Sequence, residues 1–145
     1  VVIYGQFRAY DLYEDDTSHL ILFVFAREIN LIEKPTSEDV PALPNSIFLD
    51  GYVCKKPVYR KTPLGREIAD VLLAVNRPYG KSDYIPCICW GRNAKFADTF
   101  NVGDHIQITG RIQSRAYQKQ STLENKVAYE VSVSKLNKVE EVGAA

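Results

Sequence analysis

The chain has 145 residues, 46% of them apolar and 25% charged, a composition that supports a buried core and excludes intrinsic disorder. No apolar run reaches the roughly 18 residues of a membrane-spanning helix, and three cysteines at no disulfide-scaffold density suit a reducing compartment, so a soluble cytoplasmic protein with no membrane partner is expected. The net charge of zero is a balance of opposites: residues 1–45 carry three basic and eight acidic side chains, a sum of −5, and residues 46–145 carry fifteen and ten, a sum of +5. Such asymmetry predicts a basic part that meets a polyanion and an acidic part that does not.

In chain order, "VVIYGQFRAY" (1–10) and "HLILFVFAREINLIE" (19–33) read as two strands around an acidic tip, "DLYEDDTS". Because the sequence has no Met and starts inside a strand-like run, residue 1 is expected not to be a natural start. "EKPTSEDVPALPN" holds three prolines and no aromatic residue, the composition of a linker. The expected divisions are therefore a hairpin at 1–33, a linker at 34–45 and a domain at 46–140.

Within that domain "SIFLDGYV" alternates Ile47, Leu49, Gly51 and Val53 as a strand. "CKKPVYRKTPLGR" must turn, and "EIADVLLAVNR" is a second strand. "DYIPCICW" is a third, with Pro86 near its start, where an unpaired end would tolerate it. "GRNAKFADTFNVGD" spaces Ala94, Ala97 and Phe100 as a short helix leaving near Gly103, and "HIQITGRIQ" and "KVAYEVSVSKL" are two further strands. Phe48, Phe96 and Phe100 are assigned to the core. Three strands, a short helix and two strands is the order of an OB-fold, an all-β, five-stranded Greek-key barrel. "VVIYGQFRAY" also reads as a shorter copy of "IQITGRIQSRAY", so the first hairpin repeats the last two strands of such a unit.

The chemistry-bearing residues are aromatics beside basic groups: Tyr59 and Arg60, Tyr79 and Arg77, Trp90 and Arg92, Tyr117 and Arg115. Single-stranded nucleic acid is held by that combination, rings for the bases and cations for the phosphates. Tyr84 shares strand phase with Trp90, which puts both on one sheet face; the strand is apolar on both faces, so periodicity does not say which face that is. No enzymatic pattern competes. Cys87 and Cys89 lack zinc-ligand spacing, neither His19 nor His105 has a nucleophile pattern around it, and "TPLGR" and "RPYGK" cradle no phosphate. Glu67, Asp50, Asp70 and Asp83 have no metal-site spacing, and no cofactor or small-molecule substrate is expected.

The strings "AVNR", "IPCICWGRNAKFAD" and "GDHIQITGRIQSRAY", set in order over about 95 residues, resemble the OB domain of the bacterial single-stranded DNA-binding protein family, and the whole chain resembles a variant with two OB units in tandem, the first cut short. That resemblance implies base stacking by Tyr79, Tyr84, Trp90 and Tyr117 and phosphate contacts by Arg77, Arg92, Arg111 and Arg115. It also implies action in replication, recombination or repair. A homo-oligomer, a dimer or tetramer, is expected from the first hairpin, whose continuous apolar run at 20–25 on open strand edges invites pairing with another copy. Stacking and phosphate contacts do not exclude RNA as the ligand, and a protein–protein interaction module is the alternative. Family members often carry Trp where this chain has Tyr, which weakens each stack modestly, and carry a glycine-rich tail with an acidic, aromatic tip that recruits partner proteins, a feature that "VEEVGAA" does not match; the resemblance therefore carries no partner-recruitment expectation over to this sequence.

Overall fold

The computed structural model describes residues 1–15, 17–33, 44–118 and 123–140. Among the described residues the strands are β1 (Val2–Glu14), β2 (Thr17–Asn30), β3 (Ile47–Val53), β4 (Val58–Lys61), β5 (Glu67–Arg77), β6 (Lys81–Trp90), β7 (His105–Gln118) and β8 (Asn125–Lys138), with one α-helix, α1 (Arg92–Ala97), between β6 and β7 and a single 3-10 turn at Pro78–Gly80. The chain divides into two compact units, Val1–Ser46 and Ile47–Ala145. The expected linker falls largely on residues 34–43, which lie outside the described residues, as does Asp16 of the acidic tip.

In the second unit the strands run β3-β7-β8-β6-β5-β4, and an additional β3–β5 pairing closes β3, β5, β6, β8 and β7 into a ring. This is the Greek-key OB barrel. Alternation drives it: Leu49 and Val53, Ala69, Val71 and Leu73, Ile85, Cys87 and Cys89, Ile106 and Ile108, and Val131 and Val133 are all buried on the inward phase. α1 packs against β5, β6 and β8 and contributes Ala94 and Ala97, with Phe100 just beyond it, all three at 0% exposure.

Several expectations are corrected. Phe48 is 64% exposed, because the alternation that turns Leu49, Gly51 and Val53 inward turns Phe48 outward. Phe96 is 39% exposed; the inward side of a six-residue helix is used up by Ala94 and Ala97, and the Phe96 ring meets Phe100 only edge-on at 4.9 Å. The stretch expected only to turn contains β4, paired with β5 from Val58↔Asp70 to Lys61↔Glu67, and the turn proper is confined to Thr62–Arg66, where Gly65 N–H donates to the Thr62 carbonyl at 2.8 Å. Pro86 is not near a strand start: β6 begins at Lys81 and pairs with β5 along its length. β8 touches β6 only at Cys87 and Ile88, so on that side Pro86 has no ladder to interrupt.

The first unit is a two-stranded antiparallel hairpin, β1–β2, with a break in register at Tyr4/Gly5. β7–β8 has the same break at Thr109/Gly110. In both, a side chain on the glycine would run into a backbone carbonyl across the ladder, that of Phe25 for Gly5 and that of Ser132 for Gly110. The two hairpins therefore share a local design, and the glycines fix how they correspond. On that anchor Tyr10, opposite Ile21, matches Arg115, opposite Ala128; the two "RAY" strings are two residues out of step but on the same face. The acidic tip is shorter than its sequence suggested, since β1 continues through Asp11–Glu14 and Glu14 pairs directly with Thr17.

Candidate nucleic-acid interface

Strand register places the candidate residues without reference to any ligand. Trp90 lies opposite Ile68 and Tyr84 opposite Ala74, the phase opposite to buried Ile85, Cys87 and Cys89, so both rings stand on the outer face of β6. Ile88, of the same phase, pairs with Ser132, and Ser132 pairs with Arg111. Arg111, Arg115 and Tyr117 alternate along β7 and therefore share that outer face. Three neighbouring strands, β6, β8 and β7, thus present Tyr84, Trp90, Arg111, Arg115 and Tyr117 on one surface, with Tyr84 and Tyr117 each 47% exposed. Trp90 is half-buried: its indole Nε1–H donates to Ser132 Oγ at 3.2 Å, and the Arg66 guanidinium carbon lies 4.3 Å from the ring centroid. Beside it a cleft of about 450 Å³ is lined by Trp90, Arg92, Asn93, Phe96 and Ser134.

The remaining candidates are placed differently. Tyr79 is fully exposed at the tip of the β5–β6 hairpin, in the turn Pro78–Gly80, with a left-handed backbone (φ 70°) that is costly for a residue with a Cβ. Arg77 lies on the opposite phase from Tyr84 and Trp90, and its Nε is 2.9 Å from buried Asp83. Tyr59 pairs with Ala69, also on the inner phase; partial loss of hydration, then the neighbouring Glu67 carboxylate, raises its hydroxyl pKa above the usual tyrosine value. Arg60 is on the outer phase and pairs with Asp70 at 3.2 Å. Arg115 sits 3.5 Å from Glu130, a buried carboxylate that also accepts from Gln113 Nε2 at 3.1 Å. Among the described residues Arg66, Arg92 and Arg111 have no carboxylate at ion-pair distance.

Arg66 is the residue that sequence reasoning missed. It belongs to a turn, where no periodicity marks a face, and its neighbour across the sheet is known only once Ile68 is paired with Trp90. Among the described residues no group of three or more His, Cys, Asp or Glu side chains converges as a metal site. Burial pushes the Cys89 thiol up to about 12 and the Cys87 thiol higher still, so both are core side chains.

The model of the single-strand binding protein family matches residues 44–139. The chain belongs to the single-strand binding protein family. This is a family of non-catalytic DNA-binding proteins with bacterial members. The single-stranded DNA-binding protein of Halalkalibacterium halodurans is 35% identical over 80 residues, which are 50% of this chain and 48% of that one. Single-stranded DNA-binding protein B of Bacillus subtilis is 32% identical over 83 residues, 52% of this chain and 74% of that one. The chain spans about half the length of most of the curated relatives it matches. A deletion mutant of the single-stranded DNA-binding protein from Thermus aquaticus shares the fold, with a TM-score of 0.75 at 19% identity over 98% of this chain and 62% of that one.

Proposed function

We propose that this chain binds single-stranded DNA with little sequence preference, in the service of replication, recombination or repair, by stacking bases on Tyr84, Trp90, Tyr117 and Tyr79 and pairing phosphates with Arg92, Arg111 and Arg115. The observation that carries the reading is the common outer face of β6 and β7, on which two tyrosines, the tryptophan and two arginines occur within three adjacent strands. Every base has a π-face and every nucleotide a phosphate, so such a surface binds without reading sequence. Tyr59, Arg60 and Arg77 stand at its margins: two of them are already ion-paired and two lie on the inner phase. Relatives that bear the name single-stranded DNA-binding protein support the same reading.

Trp90 is the only tryptophan, so a fluorescence titration tests the proposal directly. Oligo-dT is expected to quench its emission saturably and to bind more tightly than duplex of equal length. Equal affinity for duplex, or no binding, would overturn the reading and favour a protein–protein module. An oligo-U titration measures the preference between DNA and RNA.

A further inference from the structure

We infer that Arg66 is a further nucleic-acid-binding residue: it occupies a face of Trp90 in the free protein and pairs with a phosphate in the complex. The inference rests on the proposed binding of single strands. The Arg66 guanidinium, on an exposed side chain, stands 4.3 Å above the Trp90 ring.

Arg66 is positioned by a tight turn. Its backbone N–H donates to Thr62 Oγ1 at 3.0 Å, and its carbonyl accepts from the Thr62 N–H at 2.8 Å, so the residue enters β5 at a fixed height on the sheet. Two residues on, Ile68 pairs with Trp90. The Trp90 edge is held by Ser132 on the β8 side, while Arg66 reaches it from the β4–β5 turn. A cation over an aromatic face gains from the ring's quadrupole, and a planar guanidinium covers such a face better than an ammonium does.

No ion pair competes for this arginine among the described residues. Arg60, Arg77 and Arg115 each have a carboxylate partner, and the nearest acidic neighbour in sequence, Glu67, is paired with Lys95 at 3.4 Å. A base arriving at the face that Arg66 covers must displace the guanidinium, and the phosphate of that same nucleotide, joined to the base through its sugar, is an anion available to receive it. The same residue then shields the ring when the site is empty and neutralises the backbone when it is full.

The test compares wild type, Arg66→Ala and Arg66→Lys by Trp90 fluorescence with oligo-dT across a salt series. Each phosphate neutralised on a single strand contributes about −0.7 to the slope of log K against log salt. Arg66→Ala is expected to make the slope shallower by about 0.7 and to weaken binding at low salt. Arg66→Lys is expected to keep the slope, because it keeps the charge, while both variants change Trp90 emission in the free protein. An unchanged slope in Arg66→Ala would overturn the inference. So would tighter binding at the same slope, which would make Arg66 a cover for the ring and nothing more. If wild type itself fails to bind oligo-dT, it is the functional reading that fails; if wild type binds with quenching and Arg66→Ala matches its slope, only this inference does.

Discussion

Trp90 illustrates how little a residue's identity says about its role. Its strand is apolar on both phases, yet the ring points outward, hydrogen-bonded at one edge to Ser132 and covered by Arg66. Trp90→Ala and Tyr117→Ala are each expected to lose roughly 1–3 kcal/mol of oligo-dT binding with the melting temperature little changed; a collapse in melting temperature at unaltered affinity would make the ring a structural one. The arginines divide on the same grounds. Arg111 has no carboxylate partner among the described residues, whereas Arg115 lies 3.5 Å from Glu130, so a phosphate must compete with an existing pairing. Arg111→Ala is therefore expected to flatten the salt dependence by about 0.7 and Arg115→Ala by less, as read from titrations at several salt concentrations. Equal changes would show that Glu130 leaves Arg115 fully available.

At the level of elements, the breaks in register at Tyr4/Gly5 and Thr109/Gly110 are the most informative feature. Gly110 is buried and faces the Ser132 carbonyl so closely that no Cβ fits, which makes Gly110→Ala a backbone clash rather than a side-chain change. Overpacking of this kind costs about 1–3 kcal/mol, to be read as a lower denaturation midpoint. The turn into β7 carries a pH-dependent contribution. Asp104 accepts from the Asn101 backbone N–H at 2.8 Å and faces Lys138 at 3.5 Å; the backbone bond first, and then the lysine, hold its pKa below the ordinary aspartate value. A carboxylate with a depressed folded-state pKa stabilises fully above its unfolded pKa, and that contribution is lost as pH falls through the folded value. Wild type is expected to lose stability below about pH 4, and Asp104→Asn to show a flatter decline in melting temperature over that range while being less stable at neutral pH.

For the whole molecule the first hairpin raises the question of association. Leu20, Val24 and Phe25 are 43–50% exposed on a sheet that has two strands among the described residues, and a two-stranded hairpin by itself is marginal in water. Unpaired strand edges invite pairing, and a closed two-fold arrangement is the common result for a self-complementary surface. Light scattering is expected to give a dimer or larger for the full chain and a smaller assembly for a version starting at Asn45. A monomeric full chain, or the same assembly state for both versions, would remove the hairpin from that role.

Legible in the sequence alone were the order of the barrel's five main strands and its helix, their inward positions and the phase shared by Tyr84 and Trp90, because alternation is local and a strand's neighbours i and i+2 share a face whatever surrounds it. The sequence also carried the stacking and basic residue types, which survive as strings such as "GRIQSRAY". Phe48 was legible too, since the alternation of Ile47, Leu49, Gly51 and Val53 already turns it outward; the sequence could not show which face of β6 is outward, that Phe96 is exposed, or that β4 exists, because a four-residue strand has too few positions to display a period. Nor could it tell which arginines are already neutralised. Those outcomes depend on pairing between segments far apart in the chain: Trp90 meets Ser132 forty-two residues away, and Arg66 reaches Trp90 only because β5 lies beside β6. Contacts of that range are set by closure of the barrel, which buries the inward phase of its strands and leaves the outward phase to be covered in part, as at Ile68 and Ile88, or exposed, as at Tyr84 and Tyr117.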